Sequence, residues 1–255
     1  MIDIKTEKEI KIMQEGGRIL SRVLKELLQN IKPGVTELEI DQLAEKLIKE
    51  NGAEPGFKKV KGYKFSICVS TNDVVVHGIP TDYKFKIGDV IGIDCGVFYK
   101  GFHTDMAETI LVSNSKPQVK NPKIDKFLET GRRALNAGIE KAKAGNRVGD
   151  ISRTIQKIVE DEGYSVVKSL VGHGVGKDLH EEPEVPGYLA VKIEKTPILT
   201  EGMTIAVEVI YNMGKDEVMY KEDDGWTIST GDNSLSGLFE RTIAITQNGP
   251  VILTK

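Results

Sequence analysis

The segment KPGVTELEIDQLAEKLIKENG at 32–52 returns as KAGNRVGDISRTIQKIVEDEG at 143–163, and this recurrence constrains the fold more than any other feature of the chain. Lys32, Gly34, Ile40 and Gly52 coincide with Lys143, Gly145, Ile151 and Gly163, while Glu39 falls on Asp150, Leu47 on Ile158 and Ile48 on Val159. The repeat carries a helical apolar face together with its flanking turns. In the first copy Pro33-Gly34 stops a preceding helix, Thr36 and Glu39 form a capping box, and Gly52 closes the helix that follows. Upstream, Thr6 and Glu9 form another capping box, and Ile10, Met13, Leu20, Val23, Leu24, Leu27 and Leu28 keep helical spacing to about residue 30. The expected architecture is two similar halves, about 1–115 and 116–255, each running helix, helix and then strands.

The strands of the first half read DVIGIDCGVFY and FHTDMAETILVS, joined by a two-residue turn at Lys100-Gly101. Such a turn sets Asp105 opposite Gly96, so Asp105 and Asp94 share one sheet face a diagonal step apart. The second half offers GMTIAVEVIY and GLFERTIAITQNG, with Glu208 in the first strand and Glu240 in the second, separated by a longer loop over 212–236. Four acids thus occupy two equivalent pairs of positions.

Strand interiors disfavour Asp and Glu, and a carboxylate flanked by Ile, Val, Leu or Phe is desolvated unless it finds a partner. Salt bridges to arginine or an exposed sheet face would account for any one of these acids alone. Four in repeated positions point elsewhere: like charges at close range need cations, and two divalent ions balance four carboxylates. A di-metal site is the expectation. His173, flanked by Gly172 and Gly174, supplies a nitrogen ligand, whereas His180 lies seven residues on rather than the four of a helical HExxH site. The glycines of LVGHGVGKDLHEEP end in no GK[ST] and open no GxGxxG helix, which argues against nucleotide binding.

Composition narrows the partners. A net charge of −3 and a pI of about 5.9 give no global basic field for nucleic acid, and no run approaches a membrane span or a signal peptide. Cys68 and Cys95 form no CxxC spacing and are expected as reduced thiols in a cytoplasmic protein, Cys95 packing on the sheet face opposite Asp94.

The stretches VVVHGIP, GIDCGVFYKGFHTD, GHGVGKDLHEEP, GMTIAVE and LSGLFERTIAIT, in this order, resemble the type I methionine aminopeptidases of the pita-bread metallopeptidase fold. The likeness runs from the first helix to GPVILTK. It implies an α+β pita-bread (creatinase/aminopeptidase) fold, a single catalytic domain over 1–255 whose pseudo-symmetric halves share a curved, largely antiparallel sheet covered by helices. It implies metal ligands at Asp94, Asp105, His173, Glu208 and Glu240, holding two divalent ions, and Mn, Fe, Co and Zn all suit such a donor set. By the same resemblance His180 contacts the scissile carbonyl region, His77 meets the peptide nitrogen, and Glu208 relays the water proton to the leaving amine. Tyr63, Cys68 and Trp226 fall at family positions for the methionine pocket, and Leu179 stands where many relatives carry Phe. His103 has no family role and is expected to play a structural or supporting part.

The implied activity is removal of initiator methionine from nascent chains that begin Met-small residue, by a monomer whose work implies transient ribosome association. The lysines of FKKVKGYK at 57–64 read as a solvated loop rather than an RNA contact, and KEDDG at 221–225 adds no second basic patch. The alternatives are a proline-specific aminopeptidase or dipeptidase of the same fold, or a non-catalytic peptide- or protein-binding pita-bread module. Proline-specific relatives commonly carry an additional N-terminal domain, whereas here the catalytic half is expected to begin almost at Met1. The 31 residues between Glu208 and Glu240 leave no room for the helical insert of type II methionine aminopeptidases.

Overall fold

The computed structural model describes residues 2–113, 121–221 and 224–255. The junction expected near 115 and Glu222 and Asp223 of the acidic run lie outside these residues.

Both capping boxes form. Helix α1 (Glu7–Asn30) starts at Thr6, whose hydroxyl accepts from Glu9 N–H, and α2 (Glu37–Glu50) starts at Thr36 in the same way. The repeat recurs as α4 (Val148–Asp161), preceded by α3 (Pro122–Lys141). Asp150 accepts from the Arg147 backbone N–H at 3.0 Å as Glu39 does from Thr36 at 2.7 Å. The second copy keeps that half of the box.

The strands are β1 (Glu54–Pro55), β2 (Ile67–Thr71), β3 (Val74–Val76), β4 (Val90–Tyr99), β5 (Phe102–Leu111), β6 (Ser165–Val166), β7 (Gly172–Gly174), β8 (Glu181–Val185), β9 (Thr204–Asn212), β10 (Val218–Tyr220), β11 (Ile228–Thr230), β12 (Ser236–Thr246) and β13 (Gly249–Ile252). Ten of them form one antiparallel sheet whose main path runs β1-β4-β5-β12-β9-β7-β8. The turn between β4 and β5 places Lys100 (φ 47°) and Gly101 (φ 93°) both in the left-handed region, the two-residue geometry whose twist matches the flanking strands. Gly96 then pairs with Asp105, as the turn predicts.

Side chains alternate strictly across this sheet. Ile91, Ile93, Cys95 and Val97 face the first helix pair, packing with Leu20, Leu24, Ile40 and Ile48. Ile205, Val207, Val209, Phe239 and Ile243 face the second pair, packing with Phe127, Leu135, Ile151 and Ile155. Burying a Leu, Ile or Phe side chain in such a layer contributes about 1.5–3 kcal/mol, and these contacts fix which sheet face carries the remaining residues. The acids sit on that other face.

The 212–236 segment departs from the expected loop. It contains β10 and β11, which join β3 from the other half as a three-stranded sheet. Val75, Val76 and Ile228 of this small sheet pack with Ala107, Ile210 and Leu238 on the acid-bearing face. It walls the site on one side.

Candidate active site

Strand register brings the acids into one row. Cys68 pairs with Asp94, Asp94 with Ala107, Ala107 with Glu240 and Glu240 with Glu208, across β2, β4, β5, β12 and β9. Asp105 lies two residues before Ala107 on the same face. His173 pairs with Ala206, two residues before Glu208, so β7 delivers the imidazole to the same place. Donor atoms of Asp105, His173 and Glu240 lie within 4.8 Å of one another.

Threonine hydroxyls hold the seam where β5 meets β12. Thr242 Oγ1 accepts from Asp105 N–H and donates to Asp105 C=O, both at 2.8 Å, while Thr109 Oγ1 donates to Leu238 C=O at 2.7 Å and accepts from Leu238 N–H at 2.9 Å. Each hydroxyl stands where a ladder bond would be, so Thr242 fixes the backbone that presents the Asp105 carboxylate. Thr242→Val is expected to cost about 2 kcal/mol of stability by leaving two buried groups unpaired, with Thr242→Ser close to wild type in denaturant unfolding.

The cluster is electrostatically incomplete. Among the described residues no lysine or arginine lies within 4.0 Å of the four acids; Arg132 and Arg241 instead bind Glu108 on the helix side, each at 2.8 Å. The ion-pair reading of these acids therefore fails. Burial raises Asp94 to about 7, and burial followed by the charge of Asp94 raises Glu208 to about 8. Asp105 and Glu240 are pushed well above the usual carboxylate range, by burial first and neighbouring carboxylates second. Asp94 Oδ1 and Glu240 Oε1 are buried with no hydrogen-bond partner. Buried polar atoms in native proteins are rarely left so, and a divalent cation would supply what they lack.

His173 is prepared for the same role. Its Nδ1–H donates to Gly174 C=O at 2.8 Å, which turns the unprotonated Nε2 away from that bond, and burial lowers its pKa to about 4. It is neutral at physiological pH. Four carboxylates and one neutral imidazole on a shared face fit a borderline divalent metal.

The other expected residues line the same cavity of about 500 Å³. His180 meets His173 edge-on, with ring centroids 4.4 Å apart, despite the seven residues between them, because the turn from β7 to β8 folds back. His77 follows β3 with φ 56°, a left-handed conformation uncommon for a non-glycine residue. Partial desolvation at the cavity wall lowers the pKa of both rings, that of His77 further through the charge of His180.

An apolar recess adjoins the acid row. Tyr63 meets Trp226 at 5.0 Å between centroids and donates its hydroxyl to Ile67 C=O at 2.8 Å, with Cys68 and Leu179 packed beside them. Phe57 and Val60 complete the recess and were not singled out by sequence. The 57–64 segment is a solvated loop only on one side. Its lysines are exposed, whereas Phe57, Val60 and Tyr63 point inward at three-residue spacing, the one signal that could have revealed them. His103 is buried against Phe98 at 4.7 Å and lines a neighbouring cavity that shares Val60, Leu179 and His180 with the main one, without lining the main cavity itself.

A row of buried and half-buried carboxylates with a neutral imidazole, opening beside an apolar recess, fits the needs of a metal-dependent hydrolase in a pita-bread fold. The sequence model of Metallopeptidase family M24 matches residues 11–247, and the chain belongs to this family. Within it, the chain is 45% identical over 255 residues to the methionine aminopeptidase 1 of Bacillus subtilis, covering 100% of both chains. It superimposes on the crystal structure of methionine aminopeptidase from Thermotoga maritima with a TM-score of 0.94 at 39% identity, again covering 100% of both. Prolidase from Pyrococcus furiosus matches at a TM-score of 0.79 and 26% identity, over 99% of this chain but 65% of the prolidase.

Proposed function

We propose that this chain removes the N-terminal methionine from proteins and peptides by metal-assisted hydrolysis of the first peptide bond. The observation that carries the reading is the meeting, in one cavity, of the acid row and an apolar recess shaped by Tyr63, Cys68, Trp226, Phe57, Val60 and Leu179. Asp94, Asp105, His173, Glu208 and Glu240 would hold two divalent ions, drawn from Mn, Fe, Co or Zn. Bound there, the ions would supply a water of lowered pKa and an electrophile for the carbonyl.

The chain's own groups do the rest. The recess receives the unbranched thioether, which suits a flexible, polarisable side chain. A Glu208 carboxylate oxygen takes the proton of the attacking water and delivers it to the leaving amine. His180 donates to the oxygen of the scissile carbonyl as charge develops, and His77 contacts the peptide nitrogen.

The substrates are nascent polypeptide N-termini beginning with methionine and a small residue, met by a cytoplasmic monomer in transient association with the ribosome. Cys68 and Cys95 are buried free thiols, in keeping with a reducing compartment. No helix among the described residues is long and apolar enough to cross a membrane.

The test is methionine release from a Met-Ala-Ser peptide by metal-loaded protein, with an Ala-Pro peptide alongside. Cleavage of Met-Ala-Ser alone is expected. Cleavage of Ala-Pro alone would move the chain to the proline-specific branch, and cleavage of neither would favour a binding module. Phe57→Ala is expected to raise KM for Met-Ala-Ser about tenfold with a smaller change in kcat, since it removes ground-state packing from the recess.

A further inference from the structure

Lys5 is 4% exposed although it belongs to the N-terminal tail, where Asp3, Ile4 and Thr6 are all exposed. Its backbone N–H donates to Gly202 C=O at 2.8 Å, docking the tail. Its Nζ donates to Glu181 Oε2 and to Asp3 C=O at 3.3 Å, and lies 3.4 Å from the Asp3 carboxylate. The Glu181 side chain is itself only 11% exposed. Desolvation offsets most of the attraction in a buried pair, so stability alone does not account for this one.

Its position does. Glu181 directly follows His180, and both line the catalytic cavity. Glu181 Oε1 accepts from Asp178 N–H at 3.2 Å, and Gly176 N–H donates to Asp178 C=O at 3.0 Å. Glu181 thus closes the 176–181 turn from within while Lys5 fixes Glu181 from outside the turn. Gly176 provides the passage: a Cβ there would collide with Lys5 Cε and lie 2.7 Å from both Lys5 Nζ and Glu181 Oε1. His180 is exposed apart from its edge-on contact with the His173 ring, so its placement depends largely on the backbone that carries it.

We propose that Lys5 is a positioning residue for His180: through Glu181, the N-terminal tail sets where that imidazole stands over the cavity. The inference rests on the reading of His180 as the group that meets the scissile carbonyl. Lys5 does not line the cavity itself. Its loss therefore acts on kcat and leaves substrate binding alone.

The test is a double-mutant cycle on the metal-loaded enzyme, measuring kcat and KM for Lys5→Met, His180→Ala and the two combined. Lys5→Met is expected to lower kcat about 10- to 100-fold with KM changed less than about twofold, the cost of a catalytic group displaced by a fraction of an ångström or more. In the His180→Ala background the same change is expected to cost less than about twofold, because no imidazole remains to be placed. Lys5→Met/Glu181→Gln, which removes both buried charges, is expected to melt near wild type and retain the kcat defect, and it stands in if Lys5→Met alone misfolds. Wild-type kcat in Lys5→Met, or an equal loss in both backgrounds, would overturn the tether while leaving the role of His180 intact. An unchanged kcat in His180→Ala would overturn that role and the tether together.

Discussion

Asp105→Asn is expected to lower kcat/KM for Met-Ala-Ser by about a thousandfold or more, equivalent to roughly 4 kcal/mol of transition-state stabilisation, and to weaken metal binding in titration calorimetry. The same substitution is expected to raise the melting temperature of the metal-free protein. Asp105 sits among Asp94, Glu208 and Glu240 with no lysine or arginine of the described residues at hand, so its charge is a liability until a cation arrives. The amide is nearly isosteric and keeps an oxygen to accept the Met106 N–H now bonded at 3.0 Å. Opposite signs in activity and metal-free stability distinguish a ligand from a residue that merely packs. Loss of both together would assign Asp105 a structural part.

Metal removal is expected to make stability strongly pH-dependent. Free carboxyls in an unfolded chain titrate near 4, whereas Asp94 stands at about 7 and Glu208 at about 8 in the folded, metal-free protein. Folded-state values above the unfolded ones mean that the folded chain binds more protons between these limits. Stability is then fully present below about pH 4 as far as these groups are concerned, and is lost as pH rises through 7 and 8. A tenfold difference in proton affinity between the folded and unfolded chain is worth about 1.4 kcal/mol, so the metal-free protein is expected to melt several degrees lower at pH 8.5 than at pH 5.5. Metal-loaded protein should show the reverse, since the ions bind the ionised carboxylates and their affinity grows as protons leave. Thermal melts across this range, with and without a chelator, check it. A flat metal-free profile would mean that the acids are not a mutually repelling cluster.

Much of this site was legible because it is written in local geometry. Two capping boxes, Thr6 with Glu9 and Thr36 with Glu39, fix the helix starts. Lys100-Gly101 fixes the register that sets Asp105 opposite Gly96, and with it the shared face of Asp94 and Asp105. What lay hidden depends on pairing between distant segments. The β3–β11 contact brings residues near 76 to residues near 228, and it is what stands His77 and Trp226 at one cavity; neither strand is long enough to announce itself by period. Likewise β7 spans three residues, and its alignment with β9 at Ala206, rather than any local motif, carries His173 to the acids. Phe57 and Val60 were masked by the lysines around them, whose exposure dominates the character of that stretch. The capping residue of α4 was obscured differently. Arg147 replaces the threonine of the first copy, so only the Asp150 half of the motif survives.

The central claim, that the acid row with His173 is a metal centre, is tested most directly by anomalous X-ray scattering from crystals soaked in Mn(II). Two anomalous peaks per chain are expected in the cavity, in contact with the carboxylates of Asp94, Asp105, Glu208 and Glu240 and the Nε2 of His173. A protein that crystallises with this fold yet shows no peak among those side chains at saturating Mn(II), Co(II) or Zn(II) would contradict it.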